Sequence, residues 1–564
     1  MDNLEKVRKE IYLFGLENAI KFNGKANPNA LIGKIISQNP KIKKDMALVK
    51  KEINEIITKI NSKSLDEQKK EFENLDTKII NDKKNDKDRD IFAFLNLDNE
   101  KEVITAFPPG PEKYPHIGHA KALLLNYLLA KKYNGKFILR FEDTNPNLVL
   151  EKFYDIMIEN FKWLDVNFDE LLYASDYMDK FYEYAINLIK SNNAYMCNCN
   201  LETIRNNRMS GISCKCRTND FNTNLNLWNK FHSMPENEYV LRLKIDLLHK
   251  NSTMRDPTIF RVIDKKHPRI DKKYRVWPNY DFQNAIMDSI SNVTIRLRSK
   301  EFEMRGELQN YIQKILGLKI TKTYEFARFN MKGVLSSGRI IREKVLKKEL
   351  IGWDDPSLTT IVALRRRGFT KDAIKNFVIS TGITKSESTL TWDDLIMHNK
   401  RILDKSAKRY FFIEDYIKIE IINTKSKEVK LKTHPELEVH DRIFNIDSNF
   451  YVSKKDIAKM DENSIYRLMD CINFVKKNGK YYFHSDDFES FKNSNLNKKI
   501  IHWLSFNDKV IECEILMPDK RKVIGICENN LIDLPKDSII QFERFGFCRL
   551  DEIENNKRFF WFTH

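Results

Sequence analysis

The sequence has 564 residues, of which 41% are hydrophobic and 11% aromatic, and it contains only 17 Gly and 15 Pro. This composition excludes collagen and a disordered tail and fits about three to four packed domains. The 97 basic residues outnumber the 80 acidic ones, which gives a net charge of +17, and residues of both signs are spread along the chain. An extended polyanion is therefore a plausible partner, and a Lys-rich surface that only keeps a large protein soluble is the equal alternative.

The apolar stretches are too short to cross a membrane. The longest one, around residues 122–130, is interrupted by Asn126 and falls far short of the roughly 20 residues that span a bilayer. The first ten residues, MDNLEKVRKE, contain no apolar signal core. We therefore expect no membrane segment and a cytoplasmic location. In that compartment eight Cys argue for metal ligands or buried thiols and against a disulfide framework.

The first 80 residues have the spacing of amphipathic helices. Apolar residues recur every three to four positions from Ile11 to Ile20 and again from Ile53 to Ile60. We predict an N-terminal helical domain over residues 1–80. Residues 81–90, NDKKNDKDRD, contain no apolar side chain, so we predict an exposed linker over residues 81–100.

From Val103 the pattern changes to strand, Pro-rich loop, helix and strand. The four segments read VITAF, PPGPEKYPHIGH, AKALLLNYLLAKKY and KFILRFED. This order predicts a βαβ unit with a right-handed crossover, and ligands of such units bind at the carboxyl ends of the strands. We therefore expect the loop and the end of the second strand to line one crevice.

The motif His116-Ile117-Gly118-His119 lies where this loop enters the helix. A helix N-terminus offers unpaired N–H groups to an anion, two imidazoles can hydrogen-bond phosphate oxygens, and Gly118 lets a flat ring approach the backbone. Alone, these four residues do not differ from ordinary surface histidines. Between a strand and a helix they predict a nucleotide site.

Two close cysteine pairs, Cys197-x-Cys199 and Cys214-x-Cys216, lie in a loop-rich stretch. Four thiolates from two short turns suit a closed tetrahedral zinc site, so the spacing favours a structural zinc ion over a loop of reduced thiols. The other four cysteines lie in strand-like segments and are predicted to be core residues. They are Cys471, Cys513, Cys527 and Cys548.

After about residue 405 the sequence consists of short runs rich in Tyr, Phe, Ile and Val, which predict antiparallel barrels or sandwiches. Arg442, Arg467 and Arg544 stand near aromatic residues in this region. Exposed arginines beside aromatics suit splayed bases of RNA through stacking and hydrogen bonding. We predict that these three bind RNA, and ordinary strand-surface charges are the alternative.

The stretch PHIGHAKALLLNYLLAKKYNGKFILRFEDTNP resembles the nucleotide-binding signature of class I aminoacyl-tRNA synthetases, specifically the glutamyl/glutaminyl branch in its archaeal and eukaryotic form. Further stretches agree in order, so that the likeness covers nearly the whole chain. They are LENAIKFNGKANPNALIGK, TMRDPTIFRVID, YRVWPNYDFQNAIMDSI, YEFARFN, GWDDPSLTTIVALRRRGF and IIQFERFGFCRLD.

The resemblance implies a multidomain α/β protein. A Rossmann-like catalytic domain over residues 101–335 would contain an inserted acceptor-binding segment at about 190–260, which holds the four close cysteines. A signature loop and a helical connecting domain would follow over residues 336–404. Residues 405–564 would form β-barrels that bind the anticodon, which gives Arg442, Arg467 and Arg544 a role in tRNA binding.

The resemblance also implies a two-step reaction. ATP and glutamate give glutamyl-adenylate, with Mg²⁺ accompanying the nucleotide, and the acyl group then passes to the terminal adenosine of tRNA(Glu). Whether tRNA(Gln) is also charged stays open, and a monomer is expected. The alternatives are a non-catalytic tRNA-binding paralogue and a glutaminyl-tRNA ligase.

Residues of the nucleotide site follow from the matched motifs. His116 and His119 match the two signature histidines that hold the phosphates and are the expected catalytic histidines. Pro109, Gly118 and Arg328, together with His119, match nucleotide-binding positions.

The glutamate pocket follows in the same way. Glu142 matches the acid that meets the substrate ammonium, and Tyr280, Asn284 and Arg298 match the rest of the pocket. Arg298 opposes the glutaminyl alternative, because an amide side chain would leave a buried guanidinium unpaired. A solvated strand-end residue is the other interpretation of Arg298.

The sequence departs from the family at two sites. Ala106 stands where the first strand normally has arginine, and the following loop has Gly110 in place of an acid and Lys113 in place of a glycine. The cationic Lys113 is a candidate to replace the lost charge.

The second departure lies in the signature loop VLSSGR, where Ser337 is kept but Gly338 stands in place of the family lysine that stabilises the transition state. Loss of one such donor costs roughly 10²- to 10³-fold in rate. Counted from Ser336 instead, Ser337 takes the place of that lysine, so neither register supplies one. Arg339, Lys332 and Lys344 are the candidates to reach the phosphate. We predict that Arg339 takes over this duty, so that Ser337 and Arg339 are the catalytic residues of the loop.

Overall fold

The computed structural model of this chain describes residues 2–22, 24–28, 30–32, 35, 46–74, 90–97, 102–387, 389–437 and 441–564. The chain divides into two compact units, Met1–Phe94 and Leu95–His564. Most of the predicted linker, namely residues 81–89 and 98–100, lies outside the described residues. Among the helices in the described ranges, none combines the length and the apolar character needed to span a bilayer.

The first unit contains three described helices: α1 (Asp2–Lys21), α2 (Met46–Asn61) and α3 (Leu65–Asn74). The apolar spacing of the sequence correctly predicted helices here, since Ile11 and Ile53 are among the residues of their common core. Gly15 permits a close approach of α1 and α2, because a Cβ at this position would lie 2.5 Å from Cδ1 of Ile60.

The second unit begins with an α/β region. Its strands are β1 (Ile104–Phe107), β2 (Lys136–Phe141), β3 (Glu170–Tyr173), β4 (Ala194–Cys197), β5 (Val240–Leu243), β6 (Thr258–Val262), β7 (Val276–Pro278), β8 (Ile295–Ser299), β9 (Lys322–Phe326), β10 (Asn330–Met331) and β11 (Thr389–Leu390). Its helices are α4 (Ile117–Lys132), α5 (Lys152–Trp163), α6 (Met178–Lys190), α7 (Leu201–Ser210), α8 (Phe221–Phe231), α9 (Tyr280–Ile290), α10 (Glu303–Ile315), α11 (Gly338–Leu346), α12 (Ile361–Arg367), α13 (Lys371–Thr381) and α14 (Trp392–Leu403).

Five parallel strands form the layer that positions the site. The strands β1, β2 and β3 are hydrogen-bonded in that order, and β8 pairs in parallel with β9. Thr294, just before β8, joins the two groups, because its N–H donates to the Ile104 carbonyl at 2.9 Å and its Oγ1 accepts from Ile104 N–H at 2.9 Å. Helix α4 connects β1 to β2, which confirms the predicted βαβ unit, and the carboxyl ends of β1, β2 and β8 face one crevice.

An antiparallel sheet in the order β4-β5-β6-β7 is inserted between β3 and β8. Helices α6, α8, α9 and α10 pack with it around a core that includes Trp228 and Trp277. The two cysteine pairs lie near its start, one at the end of β4 and in the loop that follows it, the other after α7. Residues 190–260, predicted as the insertion, fall within this part of the chain.

The rest of the chain is rich in strands. They are β12 (Arg409–Tyr410), β13 (Phe412–Glu414), β14 (Tyr416–Ile422), β15 (Lys427–Lys432), β16 (Asp441–Ile446), β17 (Asn449–Ser453), β18 (Ser464–Leu468), β19 (Asn473–Lys477), β20 (Lys480–Ser485), β21 (Asn497–Ile501), β22 (Leu504–Ser505), β23 (Val510–Leu516), β24 (Lys522–Glu528), β25 (Ile539–Phe542), β26 (Gly546–Glu554) and β27 (Lys557–Phe562), with the short helices α15 (Lys454–Ile457) and α16 (Phe488–Asn493).

Two seven-stranded sheets organise this region, in the orders β12-β25-β26-β27-β23-β24-β13 and β21-β18-β19-β20-β14-β17-β22. In the first sheet only Phe411 separates the two edge strands β12 and β13, so the sheet is nearly closed into a barrel. The predicted antiparallel pairing is incomplete, because β12–β25, β23–β27, β14–β20 and β18–β21 pair in parallel. The four cysteines predicted for the core of this region are all buried.

Helix α12 fixes the connecting helices to this C-terminal sheet. Arg366 forms a two-pronged ion pair with Asp551, with distances of 3.0 and 2.7 Å. The buried Arg367 donates to the carbonyl of Thr563 at 2.8 Å. Deletion of residues 405–564 would therefore leave both arginines without these partners.

Candidate active site

A cavity of about 990 Å³ opens at the carboxyl ends of the parallel strands. Eight predicted site residues line it: Pro109, His116, Gly118, His119, Glu142, Tyr280, Arg298 and Arg328. The crevice inferred from the βαβ pattern thus contains both the predicted nucleotide residues and most of the predicted glutamate residues. The lining also includes Lys113, Lys121, Arg296 and Lys300, of which only Lys113 drew attention in the sequence.

The two histidines hold each other at the start of α4. His116 is the N-cap residue, and its Nδ1 accepts from the N–H of Gly118 at 3.0 Å. The N–H of His116 in turn donates to Nδ1 of His119 at 3.2 Å. Since each Nδ1 accepts a hydrogen bond, the proton of each neutral ring resides on Nε2, which is therefore a donor.

Burial keeps both imidazoles neutral. It lowers the pKa of His116 to about 3, and the nearby positive charges of Lys113 and Arg328 act in the same direction. Burial, followed by His116 and Lys113, holds the pKa of His119 well below its ordinary value. At neutral pH and before a ligand binds, the pair therefore offers neutral N–H donors.

Glu142 lines the cavity. Its Oε1 accepts from Nε of Arg140 at 3.0 Å and from Nδ2 of Asn284 at 3.2 Å, while its backbone N–H donates to the Pro109 carbonyl at 3.0 Å. The other oxygen, Oε2, is buried and has no hydrogen-bond partner among the described residues. This arrangement suits an ammonium group of a ligand.

Arg298 lies at the end of β8 and is only 7% exposed, so the interpretation as a solvated strand-end residue is wrong. Its Nη2 donates to the Tyr280 hydroxyl and its Nη1 to Oε1 of Gln309, both at 2.7 Å. Both acceptors are neutral, and none of the ion pairs found within the described part of the chain includes Arg298. The buried guanidinium is thus oriented but its charge is not compensated, which favours an anionic ligand.

Arg296 is one of the cavity residues that the sequence analysis missed. It lies two positions before Arg298 on β8 and therefore on the same face of the strand. Its Nη1 donates to Oδ1 of Asn284 at 2.7 Å and also pairs with Asp288. The alternation of Arg and apolar residues in IRLRS was the available signal, since a residue two places from a pocket residue shares its face.

Asn284 is fully buried and does not itself line the cavity. It accepts from Arg296 and donates to Glu142, while Arg140 pairs with both Glu142 at 3.0 Å and Asp288 at 2.8 Å. Asn284 thus hydrogen-bonds the acid from behind the cavity wall, and its predicted contact with a ligand stays a prediction.

The signature loop differs from its prediction. Ser337 and Arg339 are both exposed, and neither lines the cavity, although Ser336 does. Gly338 begins α11 and lies against the side chain of Lys113. The structure therefore does not bring Ser337 and Arg339 to the histidines, and their catalytic role stays a prediction.

The four close cysteines form a cluster. Their Sγ atoms all lie within 4.8 Å of one another, with 3.9 Å between Cys197 and Cys214. A tetrahedral zinc ion with Zn–S bonds of about 2.3 Å requires sulfur–sulfur distances of about 3.8 Å. Cys197, Cys199, Cys214 and Cys216 thus fit a closed structural zinc site after small adjustments.

Two of the three arginines predicted to bind RNA are buried, so the expectation that they are exposed was wrong. Arg442 is 2% exposed and pairs with Glu528 at 3.0 Å and Glu543 at 3.2 Å. Arg467 is 7% exposed and donates to Oδ1 of Asn473 at 2.8 Å. Only Arg544 has an exposed side chain, 43% accessible, although it lies 3.4 Å from Asp456.

The parallel layer, the paired histidines at the start of α4 and the cavity above them define a class I synthetase catalytic domain. Residues 102–405 match the family described as tRNA synthetases class I (E and Q), catalytic domain. Residues 407–485 and 500–551 match the two anti-codon binding domains of the same family. The chain therefore belongs to the class I tRNA synthetases of the E and Q group.

Relatives agree over the full length. A protein named Glutamate--tRNA ligase from Pyrococcus furiosus is 36% identical over 99% of this chain and 100% of its own length. Another of the same name from Methanocaldococcus jannaschii is 37% identical over 98% of both chains. A solved glutamate tRNA ligase from Elizabethkingia meningosepticum is 16% identical, with a TM-score of 0.42 over 54% of this chain and 70% of that one.

Proposed function

We propose that this protein ligates glutamate to tRNA(Glu) in two steps. The α-carboxylate of glutamate attacks the α-phosphorus of ATP, which gives glutamyl-adenylate and pyrophosphate, and the acyl group then passes to the terminal adenosine of the tRNA. The family match over residues 102–405 and the full-length relatives named Glutamate--tRNA ligase support this proposal.

The observation that carries the choice of glutamate is a pair of charged groups left open in one cavity. Arg298 has only neutral acceptors, and Oε2 of Glu142 has no partner among the described residues. Glutamate would bring a carboxylate to the arginine and an ammonium to the second oxygen of the acid, whose first oxygen already pairs with Arg140. Glutamine would bring an amide to the arginine, which argues against the glutaminyl alternative.

Nucleotide binding uses the neutral imidazoles. Their Nε2–H groups, the close approach allowed by Gly118 and the charge of Arg328 at the rim suit the phosphates of ATP. Mg²⁺ enters with the nucleotide and neutralises part of its charge.

The acceptor is a tRNA, which fits the net charge of +17 and the two anti-codon binding domains. Of the three arginines first considered, Arg544 retains the exposure that base stacking requires.

Pyrophosphate exchange tests the proposal directly. The purified protein, with ATP, Mg²⁺ and tRNA, should incorporate labelled pyrophosphate into ATP when glutamate is added and should do so far less with glutamine. Exchange at background level with both amino acids would favour the non-catalytic tRNA-binding paralogue. Preferential exchange with glutamine would favour the glutaminyl enzyme.

The pH dependence of glutamate binding should follow Glu142. Burial raises the pKa of this carboxyl to about 7, although Arg140 acts in the opposite direction. Below that pH the carboxyl is neutral and does not attract an ammonium, so the KM for glutamate should rise about tenfold from pH 8 to pH 6. The KM for ATP, measured over the same range, serves as the control. A glutamate KM that stays constant between these pH values would contradict the assignment.

Zinc content should follow the cysteine cluster. Freshly purified, reduced protein is expected to contain about one zinc per chain, and Cys197→Ser combined with Cys214→Ser should release it. Cys471→Ala, which alters a buried cysteine far from the cluster in sequence, is the control and should retain the metal. Metal analysis of the wild-type protein that finds no zinc would refute this prediction.

A further inference from the structure

The side chain of Lys113 occupies the space in front of Gly338. An ideal Cβ at position 338 would lie 2.7 Å from Cδ of Lys113, 3.7 Å from its Cβ and 3.8 Å from its Cγ. The methylene groups of Lys113 thus lie where a side chain of residue 338 would begin. In the family pattern that side chain is the signature-loop lysine.

A second contact holds the two loops together. Nη2 of Arg342, on the first turns of α11, donates to the carbonyl of Glu112 at 2.9 Å. The Pro-rich loop and the start of α11 therefore meet at two consecutive residues, Glu112 and Lys113. This contact fixes the backbone from which Lys113 extends.

Lys113 lines the same cavity as the two histidines. Its positive charge lowers the pKa of both His116 and His119, so it lies close enough to act on the groups expected to hold phosphate. None of the hydrogen bonds and ion pairs found among the described residues involves its ammonium group, and its electrostatic neighbours Glu112, Arg328 and Glu301 act from a distance. A partly buried cation without a direct partner gains most from an anionic ligand.

Three other cations of the region, Lys121, Arg328 and Arg339, are engaged or lie outside the cavity. Nζ of Lys121 donates to the carbonyl of Ala327 at 3.0 Å and lies 4.5 Å from the ring centre of Phe329. Arg328 lies 3.4 Å from Glu301 at the rim. Arg339 is exposed and outside the cavity lining.

We propose that Lys113 is a catalytic residue that replaces the missing signature-loop lysine. The inference rests on the activation step proposed above. An oxygen of the glutamate α-carboxylate forms a bond to the α-phosphorus of ATP, the bond from that phosphorus to the bridging oxygen breaks, and pyrophosphate leaves with the electron pair. No proton is transferred. The ammonium of Lys113 stabilises the negative charge that develops on the phosphates.

Gly338 follows from this arrangement. A lysine at position 338 in addition to Lys113 would place two side chains in one space and two like charges beside each other. The chain thus carries the cation on the Pro-rich loop and a glycine on the signature loop, which is the reverse of the family pattern.

The test is pyrophosphate exchange by the full-length protein with glutamate, ATP, Mg²⁺ and tRNA. Lys113→Met keeps the methylene packing against Gly338 but removes the charge, and it should lower kcat about 10²- to 10³-fold with both KM values within about threefold of wild type. Lys113→Arg should retain part of the rate. Lys347→Met is the matched control and should stay within about threefold of wild type, because Lys347 is exposed, pairs with Glu343 at 2.9 Å and does not line the cavity. Arg339→Ala tests the competing assignment of this duty to the loop arginine.

A second, independent experiment moves the lysine from position 113 to position 338. Lys113→Gly alone should be as slow as Lys113→Met, and addition of Gly338→Lys should recover at least about tenfold in kcat, because the charge returns to the same space from the other loop. Each variant should unfold at the same temperature as the wild-type protein. A measured thermal unfolding curve thus distinguishes a loss of charge from a loss of folded structure.

Three results would overturn the inference. They are a Lys113→Met variant with kcat within about threefold of wild type, a loss confined to the glutamate KM, and a larger loss in Arg339→Ala than in Lys113→Met. The second would place Lys113 in the amino-acid pocket as a replacement for the arginine absent at Ala106. If the wild-type protein shows no exchange, the proposed function fails together with this inference. If the wild-type protein shows exchange and Lys113→Met does too, only this inference fails.

Discussion

Arg298→Gln is expected to raise the KM for glutamate about 10²-fold or more and to leave the KM for ATP within about threefold of wild type. The wild-type guanidinium is held by Tyr280 and Gln309 and makes no ion pair with a carboxylate of the described residues, so under the proposed function the side-chain carboxylate of glutamate would compensate its charge. Removal of one member of a desolvated charge pair costs about 2 to 5 kcal/mol. Steady-state pyrophosphate exchange measures both constants.

Arg305→Gln is the matched control for this variant. Arg305 also neighbours Tyr280, 5.5 Å from its ring centre, but it is paired with Asp281 at 2.8 Å and does not line the cavity. The same loss of charge there should leave the glutamate KM nearly unchanged. Equal increases of the two KM values in Arg298→Gln would show that the residue does not distinguish the substrates.

Arg442→Ala is expected to destabilise the C-terminal region by about 3 to 5 kcal/mol, a different outcome from the direct loss of tRNA affinity that its sequence context predicted. The buried carboxylate of Glu528 accepts from Arg442 at 3.0 Å, and without the arginine its charge stays buried with only the neutral donors Phe411 N–H and Asn530 Nδ2 among the described residues. Removal of one partner of a buried ion pair has this large cost because the other charge remains desolvated. Denaturant unfolding followed by the fluorescence of the buried Trp503 reports the change.

Lys430→Ala is the control for Arg442→Ala, because it removes an exposed ion pair on the neighbouring strand β15. Lys430 lies 3.3 Å from Glu428, and both side chains are at least half exposed. Its removal should change the free energy of unfolding by less than about 1 kcal/mol. An Arg442→Ala protein as stable as wild type but deficient in tRNA binding would instead restore the role first predicted for this arginine.

Local patterns were sufficient for much of the architecture. Apolar spacing predicted the helices of the first unit, and the order of strand, Pro-rich loop, helix and strand predicted the βαβ unit and the crevice above it. Both signals are short-range, because periodicity and turn residues act within about ten to twenty positions of the chain. The close pairs Cys197/Cys199 and Cys214/Cys216 likewise carried most of their information in their spacing.

Local sequence patterns did not predict which single charged residues are buried. Arg442 shares a face of β16 with the buried Phe444 and Ile446, but Ile443 on the opposite face is also apolar. The alternation in DRIFNI therefore does not indicate which face is inside. The choice is made by packing against other strands and by the presence of Glu528, which lies far away in sequence.

The sequence by itself determined the family, the paired histidines at a helix start and the residue types of the glutamate pocket, because each depends on identity and local spacing. Only the tertiary structure decided that Asn284 hydrogen-bonds Glu142, that Arg296 lines the cavity and that Lys113 fills the space in front of Gly338. These are contacts between distant segments. They depend on which backbones approach each other and on which charges lose their water when the chain packs, and no local pattern encodes that.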